Sequence, residues 1–240
     1  MSVSETPIAR RIAENVAQVR EQIAAAARRA GRSADEVTLI GVTKYVDARA
    51  ALLLVEAGVK DLGESRPQEL WAKAEALADL PVTWHLIGHL QRNKVRRTLR
   101  PKLLIHSADS LRLLETISRE ASEMPSAQAV NVLLEVNVSG DATKHGLQSD
   151  EAEPLLIQAA RLPHLSICGL MTMAALEGGP ERARRDFAAL RKLRDSLAAN
   201  APPNVTLREL SMGMSGDFEV AIEEGATMVR VGSALFEGIE

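Results

Sequence analysis

Lys44 closes the apolar run Val37-Thr38-Leu39-Ile40-Gly41-Val42-Thr43. A run this rich in β-branched residues, followed by helix-like sequence, reads as a buried parallel strand. A lysine at its end has its stem among apolar groups and its amine at the rim. Desolvation there disfavours the charged form, so the amine can attack a carbonyl. The plainer alternative is a long side chain reaching solvent. Arg230 interrupts Met228-Val229-Arg230-Val231, another run that should be buried. Alternation places Met228, Arg230 and Gly232 on one face. A buried guanidinium needs a partner, either a glutamate or an acceptor on a ligand. Two segments of small residues complete the set: Leu210-Ser211-Met212-Gly213-Met214-Ser215-Gly216-Asp217 and Arg230-Val231-Gly232-Ser233. Small residues let the backbone approach a ligand, and the free N–H groups of a helix start suit an anion such as phosphate. Ordinary capping by Ser215 and a tight turn at Gly232 would explain the same residues. Asp217 would have to point away from a bound anion.

These groups need a frame. Ile8, Ile12, Val16, Val19 and Ile23 recur at helical spacing, and Gly31 supplies a stop. After this helix, strands are expected near 37–43, 59–62, 82–88, 103–106, 130–138, 165–171, 206–211 and 228–232. Helical stretches fall near 47–57, 66–79, 91–99, 109–122, 149–161, 180–199, 216–225 and 234–237. Strict alternation implies a parallel sheet with right-handed crossovers. Eight repeats close naturally into a (β/α)8 TIM barrel with an extra N-terminal helix; a doubly wound open sheet is the alternative. No Pro/Gly/Ser-rich linker interrupts the chain, since Ala201-Pro202-Pro203-Asn204 reads as a helix-to-strand loop, so residues 1–240 are expected to form one α/β domain.

In such a barrel the chemistry gathers at the C-terminal ends of the strands. Those ends carry Lys44, Gly63-Glu64-Ser65, His85, Gly88, His106-Ser107, Asn137, Met171-Thr172, Ser211, Arg230, Gly232 and Ser233. Trp84-His85 lies within a strand, where a lone histidine more often belongs to the core. The five histidines lack metal-binding spacing and Cys168 has no cysteine partner, so no metal is expected. Arg92, Lys94, Arg96, Arg97, Arg100 and Lys102 read as a solvated helix face. A net charge of −3 and 2% aromatic residues argue against nucleic acid. The single cysteine, and the absence of a signal-like or membrane-length apolar stretch, lead to the expectation of a cytoplasmic protein.

A lysine nucleophile, phosphate-type loops and a strand-end arginine together suggest pyridoxal 5′-phosphate (PLP). The motifs that carry this further are Leu39–Lys44, Leu62-Gly-Glu-Ser-Arg-Pro-Gln-Glu69 and Trp84-His-Leu-Ile-Gly-His-Leu-Gln-Arg-Asn-Lys94. Ile105–Asp109, Glu135–Ser139, Lys144-His-Gly146, Gly169–Met171, Leu210–Ser215 and Met228–Ser233 continue the series. In order and spacing the chain resembles the pyridoxal phosphate homeostasis protein family (the YggS/PROSC group). The resemblance implies a barrel like the N-terminal domain of alanine racemase. It implies PLP as a Schiff base on Lys44, phosphate around Ser211, Met212, Ser215, Gly232 and Ser233, and Arg230 facing the pyridine nitrogen. An arginine there leaves the nitrogen largely unprotonated and the ring a weak electron sink. With the strand-end reading, the expected cofactor contacts are Lys44, Ser65, His85, Asn137, Met171, Ser211, Met212, Gly213, Ser215, Arg230, Gly232 and Ser233, with no catalytic residue assigned. The family has Gly-Glu-Asn where this chain has Gly63-Glu64-Ser65, and Gly-Pro-Leu-Gln where it has Gly88-His89-Leu90-Gln91.

The implied role is regulatory: a monomer that keeps PLP in balance, with PLP-requiring apo-enzymes as partners and without robust turnover. An amino-acid racemase is the alternative. It needs a second base, and the only tyrosine, Tyr45, adjoins Lys44 and is expected on the opposite face. A PLP-free Schiff-base aldolase acting on a sugar phosphate is a third reading.

Overall fold

The computed structural model describes residues 6–124, 129–141, 145–175, 177–202 and 205–239. Lys144, Pro203 and Asn204, named above, lie outside them. The first helix, α1 (Pro7–Arg29), starts at the Thr6 cap with Pro7 in its first turn and buries Ile12, Val16, Val19 and Ile23. Strands and helices then alternate: β1 (Thr38–Val42), α2 (Ala48–Glu56), β2 (Asp61–Glu64), α3 (Pro67–Ala76), β3 (Thr83–Leu86), α4 (Val95–Thr98), β4 (Leu103–Ala108) and α5 (Leu111–Ser122). They continue as β5 (Val130–Glu135), α6 (Ala152–Ala159), β6 (Leu165–Met171), α7 (Gly179–Ala199), β7 (Glu209–Met214), α8 (Phe218–Glu223) and β8 (Met228–Val231).

The eight strands form a closed barrel in sequence order, every pair parallel, with β1 closing on β8 through Ile40 opposite Arg230. The open-sheet alternative is thereby excluded. Among the described residues after β8, the regular structure is one 3-10 turn, Ser233–Leu235. Helix α1 takes the vacant place in the outer ring, packing on α8, on this turn and on α2. The Asn15 side-chain amide donates to the carbonyls of Leu235 (3.2 Å) and Glu237 (3.0 Å), which ties the chain end to α1.

Two strands start later than their apolar runs suggest. Val59 is buried, but its N–H closes the end of α2 on Leu54, so pairing of β2 begins at Asp61. Val205 and Leu207 are buried ahead of β7, whose pairing with β6 begins at Glu209. Between β7 and β8, Ser211 faces Met228 and Met214 faces Arg230, so β7 carries a bulge. Gly213 sits in it with φ +93°, and a Cβ there would lie 2.6 Å from that of Ala221. Bulges of this kind re-aim side chains beside functional sites.

The main core lies between barrel and helices. A separate small cluster of Leu104, Leu133 and Met171 packs with Cys168, Met173 and Met228. Alternation puts Leu104 on the face of His106 and Met228 on the face of Arg230, so this cluster marks the lumen. No described helix is long and apolar enough to cross a membrane.

Candidate functional site

A cavity of about 590 Å³ opens at the C-terminal ends of the strands, within the size range of small-molecule sites. Six expected residues line it: Lys44, Ser65, Ser215, Arg230, Gly232 and Ser233. The other six, His85, Asn137, Met171, Ser211, Met212 and Gly213, are not part of its wall. Met171 belongs to the lumen cluster, and Met212 is buried in the outer core. Asn137 organises the loop after β5, donating to the Asp141 carbonyl and accepting from the Ser139 hydroxyl. Extension of β7 to Met214 carries Ser211 below the rim, where it is fully buried.

Lys44 lies two residues beyond β1 and is exposed, so the burial expected for its stem is absent. Its Nζ stands 4.8 Å from the centroid of the Tyr45 ring. Both residues line the cavity. Tyr45 therefore does not face the opposite side: strand alternation ends at Val42, and the next residues form a turn. The peptide leading to Lys44 is held from beneath. Lys73 Nζ donates to the Thr43 carbonyl (2.7 Å) and to Glu64 Oε1 (2.5 Å), and the Thr43 hydroxyl donates to the same oxygen (2.6 Å). Glu64, Lys73 and Thr43 are all buried. Across from them Gly88 lets two loops meet, since a Cβ there would lie 2.2 Å from the Ser65 carbonyl oxygen. The Ser107 hydroxyl pins Gly88 through its carbonyl at 2.7 Å.

Arg230 is buried, and its two assigned partners are neutral: the Ser211 hydroxyl at 2.6 Å and the Thr172 carbonyl at 2.9 Å. No ion pair to Arg230 occurs among the described residues. Burial lowers its pKa to about 10, opposed by the charges of Asp217 and Glu135, so it stays cationic at neutral pH. Ser211 continues inward to His106 Nδ1 (2.8 Å). His106 Nε2 meets His85 Nδ1 (2.9 Å), and His85 Nε2 meets Asp61 (3.0 Å). Burial, then His85 and Arg230, hold His106 well below the ordinary imidazole range. Glu135 lies on the cavity wall, raised to about 7 by burial and by Asp109, with Arg230 opposing.

The two small-residue turns meet each other. The Gly232 N–H donates to the Ser215 hydroxyl at 3.1 Å. Asp217 turns back on its own loop, accepting from the Met214 N–H at 2.6 Å, which removes the objection its charge raised. The helix it opens, α8, has only six residues. At the mouth, His89 and His145 stack with ring centroids 5.1 Å apart. With Asp109 they bring one potential metal-ligand atom each within 4.8 Å of one another, a grouping that could hold a cation and that spacing along the chain does not reveal.

A family model described as alanine racemase, N-terminal domain, matches residues 12–239. The Pyridoxal phosphate homeostasis protein of Aquifex aeolicus (strain VF5) is 43% identical over 223 residues, covering 93% of this chain and 96% of that protein. This chain belongs to the pyridoxal phosphate homeostasis protein family. The relative of the same name from Pseudomonas aeruginosa is 42% identical over 229 residues, covering 94% of each chain. Among solved structures, PipY of Synechococcus elongatus PCC7942 with PLP bound is 38% identical, with a TM-score of 0.83 over 94% of this chain and 99% of that one. The alanine racemase of Clostridium difficile 630, at 18% identity and TM-score 0.68, covers 83% of this chain and 52% of that one, and shows the shared fold alone.

Glu64, His106 and Thr172 stand among the strand-end residues of the sequence but not among its expected cofactor contacts, and Lys73, Glu135 and His145 have no role assigned there. His106 and Glu64 carried a signal, as polar residues inside apolar strands. The partners they find across the barrel did not.

Proposed function

We propose that this chain binds PLP as a Schiff base on Lys44 and serves PLP homeostasis without robust catalytic turnover. The observation that carries this is one cavity walled by an exposed amine, a buried guanidinium and two small-residue turns. Lys44 would hold the cofactor aldehyde, and the Ser215-Gly216 and Gly232-Ser233 turns its phosphate. Arg230, cationic and donor-only, would face the pyridine nitrogen and disfavour a proton there. Met173 and Phe236 offer apolar wall for the ring. PLP, when bound, supplies an electrophilic carbonyl and a conjugated ring. Glu135, raised to about 7, and the stacked His89 and His145 are the acid–base groups on the cavity wall. Tyr45 stands beside Lys44 on the same rim, so no tyrosine opposes that amine. The exposed position of Lys44 suits delivery of PLP to apo-enzymes by a cytoplasmic monomer.

The test is an absorbance spectrum of the purified protein with PLP, before and after borohydride, followed by peptide mapping. The label should fall on Lys44, and Lys44→Ala should lose the visible band while keeping its circular dichroism. A band that survives in Lys44→Ala refutes the assignment. Incubation with each enantiomer of several amino acids, resolved by chiral chromatography, tests turnover. Rates of about 1 s⁻¹ or more, the range of ordinary enzymes, would favour the racemase reading instead.

A further inference from the structure

The chain of contacts beneath Arg230 has only one consistent direction. Arg230 can only donate, so Ser211 Oγ accepts from it. The Ser211 hydroxyl proton then needs an acceptor, and among the described residues His106 Nδ1 is the one in reach, at 2.8 Å. A His106 ring that accepts at Nδ1 carries its proton on Nε2, which donates to His85 Nδ1 at 2.9 Å. His85 in turn carries its proton on Nε2 and donates to the Asp61 carboxylate, an obligate acceptor when ionised. Donor end and acceptor end agree without a conflict at any link. Asp61 is the first residue of β2, with its side chain 31% exposed, whereas the cavity lies beyond the last residues of the strands. The contacts therefore cross the barrel lumen between its two faces.

We propose that Ser211, His106, His85 and Asp61 are positioning residues for Arg230, joined in a hydrogen-bond relay of single polarity that runs from the cavity to the opposite face of the barrel. Ser211 and the Thr172 carbonyl fix the guanidinium plane, and the relay commits Ser211 to accept from Arg230. The remaining N–H donors of Arg230 are thereby kept for the cavity it lines. Buried polar groups linked in series polarise one another, so a change at one end is felt at the other. The consequence for the cofactor rests on the proposed PLP function; the relay itself does not.

Asp61→Lys is the decisive variant because it lies far from the cavity and replaces the terminal acceptor with a group that can only donate. An ammonium aimed at His85 Nε2 would move that proton to Nδ1, push His106 to the Nδ1–H form and leave the Ser211 hydroxyl without an acceptor. Nitrogen-resolved NMR of the imidazoles in the full-length protein without PLP reads the tautomers directly. The wild type should show Nε2–H at both His85 and His106. In Asp61→Lys the Nε2–H population should fall at both, and the Arg230 guanidinium protons should exchange roughly five- to tenfold faster, the loss expected for one hydrogen bond. With PLP added, the visible band of Asp61→Lys should shift from that of the wild type. Nδ1–H at His106 in the wild type overturns the relay. So does an Asp61→Lys protein whose tautomers and Arg230 exchange are unchanged. A wild type that shows the tautomers and the exchange effect but takes no PLP sinks the functional reading and leaves the relay standing.

Discussion

The buried pair beneath Lys44 makes a quantitative prediction. Lys73 and Glu64 are 4% and 0% exposed, and their charged atoms are 2.5 Å apart. Lys73→Met would leave the Glu64 carboxylate buried with the Thr43 hydroxyl as its remaining assigned partner. Removing one member of a buried pair typically costs about 3–5 kcal/mol, because the other charge stays uncompensated. Glu64→Leu would strand the Lys73 ammonium similarly. Replacing both removes the uncompensated charge. The residual cost is then the Thr43 carbonyl and hydroxyl left without these partners, about 1–3 kcal/mol. The double variant should therefore be more stable than either single one, with a coupling energy of several kcal/mol. Urea unfolding followed by the fluorescence of Trp71 and Trp84 measures all four proteins. The cofactor provides a second readout, because Lys73 grips the carbonyl of the residue before Lys44. Both single variants should weaken PLP binding, as the turn bearing the amine loses its anchor. Single-variant costs that add to within about 0.5 kcal/mol in the double variant, the behaviour of independent sites, would refute the pairing.

Three further outcomes follow from the cavity wall. Glu135 binds its proton more tightly folded, at about 7, than at its ordinary 4.5. Its stabilising contribution is therefore complete below 4.5, declines as pH rises and is lost once pH passes about 7. Relative to Glu135→Gln, the wild type should lose about 3 kcal/mol of stability over that window, at about 1.4 kcal/mol per pKa unit; parallel pH curves for the two proteins would disprove this. Arg230→Glu should move the visible band of the PLP-loaded protein by allowing the ring nitrogen to take a proton, and an unmoved band would place Arg230 away from that nitrogen. Gly88→Ala puts a methyl 2.2 Å from the Ser65 carbonyl oxygen, so it should cost about 1–3 kcal/mol through forced backbone shifts; a melting temperature equal to wild type would show that the two loops separate freely.

The alternation of apolar runs with helical stretches was enough to specify eight parallel strands, because each run must bury both faces and each crossover needs a helix. It also placed Lys44, Ser65, Ser215, Arg230, Gly232 and Ser233 at one end of that barrel, where they share a cavity. Motif order carried the family. Spacing along the chain says which face of a strand a residue takes, but not which residue it meets across a closed lumen. That depends on strand tilt and register, and these bring Asp61, His85, His106, Ser211 and Arg230 from five strands into one line. The later start of β7 is decided the same way, by pairing with β6 and the bulge at Gly213, and it moves Ser211 from the rim into the core. The Glu64–Lys73 pair joins a strand end to the following helix. Only a packed interior makes such a pair necessary, because two charges exposed to water would have little reason to meet.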